Sequence, residues 1–145
     1  NLCDYGIQLT RRFRALKLWL SLKIFGLKAF QAAINHGLAM GQFTETLLRA
    51  HESFELVTPA KLGIVSFRYW AVGFSAEALD WVNLAIVEAC IEDGFAFVSS
   101  TRLRNRDVLR ICTINQRTSE GDIRSTLDRL AILGDQLLAS KDQRV

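Results

Sequence analysis

Proline is almost absent from this chain: Pro59 stands alone among 145 residues, beside only two histidines and three cysteines. Each scarcity excludes something. Cys3, Cys90 and Cys112 are odd in number and far apart, so neither a disulfide framework nor a Cys-x-x-Cys motif is present, and a reducing, cytoplasmic setting is expected. His36 and His51 have no cysteine or carboxylate at ligand spacing, so no metal site is expected. No apolar run approaches the roughly 18 residues of a membrane span, because Lys17, Lys23 and Lys28 interrupt the greasiest segment. No secretory leader is visible, and a chain opening on Asn1 instead of Met reads as a processed or partial one. There is no Gly-x-Ser-x-Gly, no glycine-rich phosphate loop and no pair of catalytic carboxylates. Glu92 and Asp93 are adjacent acids at a helix end, the usual place for solvated ones. Acid is missing altogether between Tyr5 and Thr44, a stretch that carries six Lys/Arg.

What is present is apolar. Half the residues are hydrophobic and mean hydropathy is positive. That is greasy for a chain this short, whose surface-to-volume ratio calls for more polar cover. Apolar surface covered from outside the chain is therefore expected. The net charge of +3 is too small by itself to mark a nucleic-acid binder.

The pattern of residues gives an order of elements. Residues 10–25 predict a helix capped by Thr10, apolar on more than one face, with Gly26 as a stop or kink. A second helix is predicted over roughly 27–50. Gly37 and Gly41 within it either admit a neighbouring backbone or break it. "FELV" and "LGIVSFRYW" predict strands around a turn at Pro59. Ser75 caps a helix ending at Gly94, with Leu79, Val82, Ile86 and Cys90 inward. "FAFVSSTRL" and "VLRICTI" predict two strands about a polar turn, with Val108, Arg110, Cys112 and Ile114 on one face of the second. Ser119 and Asp122 form a capping pair for a last helix with core residues Ile123, Leu127, Leu130 and Leu137. The expected fold is α+β: a small, mainly antiparallel sheet with helices on one face, preceded by a long linking helix.

Four stretches, in order and spacing, resemble one family. "DYGIQLTRRFRALKLWLSLKIFG" has an Arg-Arg pair, then Ala, Leu-Lys and Trp at Arg11, Arg12, Ala15, Leu16, Lys17 and Trp19. "FELVTPAKLGIVSFRY" carries Leu62, Gly63, Val65, Phe67 and Arg68. "VSSTRLRNRDVLRICTINQRT" carries Leu109-Arg110 and Asn115-x-Arg117-Thr118, and "SEGDI" opens the last helix. Together they resemble the C-terminal region of the group II pyridoxal-phosphate (PLP) amino-acid decarboxylases, which include the aromatic-L-amino-acid, histidine and glutamate enzymes. The resemblance spans about residues 4–133.

It implies a carbon–carbon lyase acting on an L-amino acid, aromatic-type by its first helix, as part of a homodimer. It implies residues 1–36 as a linking helical segment and 37–145 as the small C-terminal domain. The catalytic lysine, which follows a histidine in that family, has no counterpart here: Gly37 follows His36 and Glu52 follows His51. The resemblance therefore places PLP on a large upstream domain that is the expected partner, and places no catalytic or cofactor-binding residue in this chain. It makes Arg110 a candidate for the substrate carboxylate, since a planar guanidinium grips a carboxylate with two hydrogen bonds. The other reading of Arg110 is a structural ion pair with the large domain. Arg11 and Arg12 are read as anchors of the domain junction, and Arg102, Arg104 and Arg106 as solvated. Trp19, Trp70 and Trp81 are read as core or interface packing, and Arg117 and Thr118 as turning residues. The competing function is a stand-alone α+β module whose basic helix recognises nucleic acid or a partner protein. Against it, the strands lack the exposed aromatics of an RNA-reading sheet; a membrane-surface reading of the helix fails separately, because the helix lacks a clean polar face.

Overall fold

The computed structural model describes residues 2–5, 7 and 12–142, without the side chains of residues 2, 3, 141 and 142. Thr10 and Arg11 lie outside the described residues. Two compact units divide the chain, Asn1–Ala33 and Ile34–Val145.

In the first unit a 3-10 turn, Leu2–Tyr5, precedes helix α1, Arg14–Phe25. Phe13 occupies the N-cap position and offers no side-chain acceptor, so the helix starts later than the sequence predicts. Gly26, at φ 78°, ends it, a conformation open chiefly to glycine. No residue of α1 is buried. Leu18, Trp19, Ile24 and Phe25 are each more than half exposed. Helix α2, Leu27–Ala50, follows at once and runs from the first unit into the second.

The second unit holds strands β1 (Phe54–Lys61) and β2 (Ile64–Tyr69), helix α3 (Ala76–Asp93), strands β3 (Ser99–Leu103) and β4 (Arg106–Cys112), and helix α4 (Glu120–Asp142). The four strands form one antiparallel sheet in the order β1-β2-β4-β3. The alternating residues Val65, Phe67, Tyr69, Leu109 and Ile111 are buried on one face. They join Leu79, Val82, Ile86 and Cys90 of α3, Ile123, Leu127, Leu130 and Leu138 of α4, and Leu48 of α2 in a single core. The fold is α+β, as the sequence predicts, with the inner stripe of α4 passing to Leu138 while Leu137 is half-buried.

Three details correct the sequence reading. The turn is not at Pro59: Pro59 lies inside β1, and the chain reverses at Leu62 and Gly63, both at positive φ. A proline is tolerated there because β1 is an edge strand whose ladder shifts register between Leu56 and Thr58 and between Thr58 and Lys61. The next residue, Ala60, donates its N–H to the Glu45 carboxylate at 2.6 Å, so the disturbed edge is satisfied from α2. The third strand starts at Ser99 and excludes Phe95 and Phe97, which are exposed in the preceding loop. None of the three tryptophans is in the core; each is between 42% and 55% exposed.

Gly37 and Gly41 admit a neighbour and do not break α2. The Thr113 hydroxyl lies 2.8 Å from the Gly37 carbonyl and 3.0 Å from that of Gly63, and the Thr113 N–H donates to Gly63 at 2.8 Å. A Cβ on Gly37 would stand 2.8 Å from the Thr113 carbonyl oxygen. The helix is thus held on the sheet by backbone approach that only glycine permits.

Candidate functional site

The outer face of the sheet, away from the core, carries a row of polar residues that the register brings together. Thr58 pairs with Ser66, Ser66 with Arg110, and Arg110 with Ser99, so one residue from each strand lines up across the sheet. The row follows from the period of two along each strand: the same alternation that buries Leu109 and Ile111 turns Arg110 and Cys112 outward. The hairpin joining β3 to β4 turns through Arg104 and Asn105 at φ 51° and 60°. A two-residue connection of that kind fixes the register of the pair.

Arg110 is exposed in the middle of this row. Its Nε donates to the Ser99 hydroxyl at 3.2 Å, and the Ser99 hydroxyl in turn faces the Arg110 carbonyl at 3.5 Å. Among the described residues no acid pairs with Arg110. The guanidinium is therefore an oriented cation at the surface of this chain. Ile64 and Cys112, directly paired, adjoin the row on one side, and Ile114 lies beyond β4 with most of its surface exposed.

A second cation on a neighbouring strand behaves differently. Arg68 is 2% exposed and donates from Nη2 to Asp80 of α3 at 3.0 Å. Among the described residues its Nε has no hydrogen-bond partner. Asp80 also accepts from the backbone N–H of Asp107 at 3.3 Å. One turn on, Asn83 accepts from the Tyr69 N–H at 2.7 Å and donates to the Tyr69 carbonyl at 3.1 Å. Asp80 and Asn83 thus complete the strand ends where β2 and β4 part. Breaking such a buried pair from one side leaves a charge without compensation, which gives Arg68 a structural duty. The sequence reading passed over this knot. Its one visible signal was Asn83, a polar residue beside Val82 on the inner side of an otherwise apolar helix.

The remaining candidates are scattered. Arg12 is exposed. Arg102 and Arg104 are exposed, while Arg106 reaches Glu55 at 3.4 Å, a surface pair. Asn115 accepts from the Arg117 N–H through its side chain and from the Thr118 N–H through its carbonyl, which turns the chain toward α4. His36 Nε2 lies 2.7 Å from the Thr118 carbonyl and so acts as a donor there, tying α2 to the same turn. A cleft of about 540 Å³ beside the end of α3 contains Arg129, but Asp93 already holds that guanidinium through bonds of 2.9 and 2.6 Å. It offers an anionic ligand no open cation.

For PLP the residues that matter first are lysines. An imine-forming lysine needs a sheltered, partly dry position to lower its pKa. The lysines whose side chains are described, Lys17, Lys23, Lys28 and Lys61, are all exposed.

Residues 1–70 match the family model of the pyridoxal-dependent decarboxylase conserved domain. Over 141 residues, 97% of its length, the chain is 39% identical to an aromatic-L-amino-acid decarboxylase of Bacillus atrophaeus and covers 29% of that protein. It is 31% identical over 119 residues to the histidine decarboxylase of Mus musculus, covering 82% of this chain and 17% of that one. Among solved structures, Oryza sativa TDC with PLP and tryptamine superposes with a TM-score of 0.80 at 29% identity, over 95% of this chain and 30% of that one. The chain spans less than a third of the length of these relatives.

Proposed function

We propose, from the premise that this chain is a segment of the group II pyridoxal-dependent decarboxylases, that it serves as the small C-terminal domain of an L-amino-acid decarboxylase of aromatic type. The observation that carries this reading is the 39% identity to the Bacillus atrophaeus aromatic-L-amino-acid decarboxylase across 97% of the chain. Residues 1–36 link this domain to the rest of the enzyme and residues 37–145 form it. The large domain, in a homodimer in the cytoplasm, holds PLP, which supplies the electron sink for loss of carbon dioxide. That domain also covers apolar surface this chain leaves open, such as Leu18, Trp19, Ile24 and Phe25.

Within that enzyme Arg110 receives the carboxylate of the amino acid. Support comes from its exposure on the outer face of the sheet, its oriented guanidinium and the absence of an acid beside it among the described residues. A tight ion pair to a departing carboxylate stabilises the ground state more than the transition state. Arg110 therefore contributes through capture and orientation, and its effect falls mainly on KM.

The test is release of labelled carbon dioxide from carboxyl-labelled L-tryptophan, L-tyrosine and L-phenylalanine by the complete, PLP-loaded chain. Release from at least one is expected; none from any of the three would end the aromatic reading. Arg110→Lys should raise KM about tenfold with a smaller change in kcat, because a point charge replaces a two-pronged grip. An unchanged KM would remove Arg110 from the substrate site.

A further inference from the structure

Arg110 is not a loose surface arginine, and the way it is held restricts how it can bind. A guanidinium offers a carboxylate two bidentate edges: side-on through Nε and one Nη, or end-on through both Nη nitrogens. The Ser99 hydroxyl occupies Nε at 3.2 Å. That contact closes the side-on edge and leaves Nη1 and Nη2 open. Ser99 is itself fixed. It is the direct cross-strand partner of Arg110 in the β3–β4 ladder. Its hydroxyl faces the Arg110 carbonyl as a donor at 3.5 Å, which turns an oxygen lone pair toward Nε.

We propose that Ser99 is a positioning residue for carboxylate recognition: by engaging Nε of Arg110 it presents the two Nη nitrogens end-on to the carboxylate of an amino acid. This rests on the assignment of Arg110 to the substrate carboxylate. The physical gain is preorganisation. An arginine side chain freely sampling rotamers must be ordered when ligand binds, and a side chain already tethered has less freedom to lose. One tethered side chain corresponds to an affinity gain of about three- to tenfold.

The comparison that isolates the hydroxyl is Ser99→Thr against Ser99→Val. The two replacements are alike in shape, suit a strand, and differ in a hydroxyl against a methyl group. The probe is 3-phenylpropionate, which has a carboxylate and no amine, titrated calorimetrically into the complete PLP-loaded chain. Ser99→Val should weaken binding about three- to tenfold relative to Ser99→Thr. The difference should vanish when Arg110 is alanine in both. If Arg110→Ala weakens binding while the Val and Thr variants bind alike, Ser99 has no positioning role and the Arg110 assignment stands. If Arg110→Ala leaves binding unchanged, the Arg110 assignment fails and this inference with it. A Val–Thr difference that persists without Arg110 would also overturn it, because the hydroxyl would then be acting through something else.

Discussion

At the scale of single residues, Tyr69 and Gly134 are closely matched in the core. The Tyr69 ring lies so near α4 that a Cβ on Gly134 would stand 2.3 Å from two of its carbons. The ring is 2% exposed, yet its hydroxyl reaches Asp135 at 2.5 Å. A glycine in the middle of a helix is unfavourable by about 1 kcal/mol against alanine, so its presence here reflects the ring beside it. Gly134→Ala should still destabilise the chain, by about 1–3 kcal/mol, since overpacking outweighs the helix preference. Tyr69→Phe keeps the ring and removes the hydrogen bond, at a cost of about 1–2 kcal/mol. Urea titration of both variants checks the pair; a Gly134→Ala variant more stable than the parent would contradict the packing described.

At the scale of elements, one hydroxyl ties α2 to the sheet beside the glycine contacts and the Glu45–Ala60 bond. Thr113 sits at the end of β4 and is 1% exposed, with the carbonyls of Gly37 and Gly63 both within reach. Thr113→Val keeps the shape and removes the hydroxyl from both carbonyls, while the Gly63 carbonyl keeps the Thr113 N–H. The expected loss is about 1–3 kcal/mol, read as a lowered thermal midpoint. Thr113→Ser, which keeps the donor, should lose less. If Val and Ser variants melt together, the hydroxyl carries none of the attachment. The ends of the helices show how far local chemistry reaches. Ser75 accepts from the Ala78 N–H and Gly94 closes α3 in the left-handed region, as the sequence leads one to expect. Ser119 and Asp122 exchange hydrogen bonds at the start of α4 in the same predictable way. The turn after β1 was not predictable from Pro59, because whether a proline can sit within a strand depends on that strand being at the edge.

At the scale of the whole molecule, stability should have limits in both acid and alkali. Four carboxyls are held below their ordinary values. Glu45 is lowered first by the Ala60 N–H and then by Arg49, and Asp93 by its bond with Arg129. Glu77 is lowered by its own backbone N–H and then by Ser75, and Asp122 by the Ser119 N–H and hydroxyl. A depressed carboxyl pKa stabilises the fold above the unfolded value and ceases to do so as pH falls through the folded one. This contribution is therefore complete above the ordinary glutamate value of 4.5 and is lost below the aspartate value of 3.8. In the other direction burial pushes the Cys90 thiol up, and burial followed by Asp135 pushes up the Tyr69 phenol. A raised acid pKa favours the neutral form in the fold, so that contribution is complete below the ordinary thiol value of 9.0 and declines above it. Melting midpoints across pH should form a plateau between those limits, with the alkaline fall reduced in Cys90→Ala. A plateau edge above pH 9 unaffected by Cys90→Ala would remove the thiol from this account.

The sequence alone determined the order of elements, the caps of α3 and α4, most of the inner stripes and the alternation of β4 from Leu109 onward, because these depend on periods of 3.6 and 2 and on side chains close in the chain; Val108, on the same side as Arg110 by that period, is nevertheless buried. The sequence placed Arg110 on the outward face for the same reason. The tertiary structure decided what surrounds it. The row Thr58, Ser66, Arg110 and Ser99 exists only through strand order and register. The buried Arg68–Asp80 pair and the glycine contacts of α2 likewise join residues distant in sequence. Local periodicity records which way a side chain faces, whereas its neighbours across a sheet are set by how the strands pair.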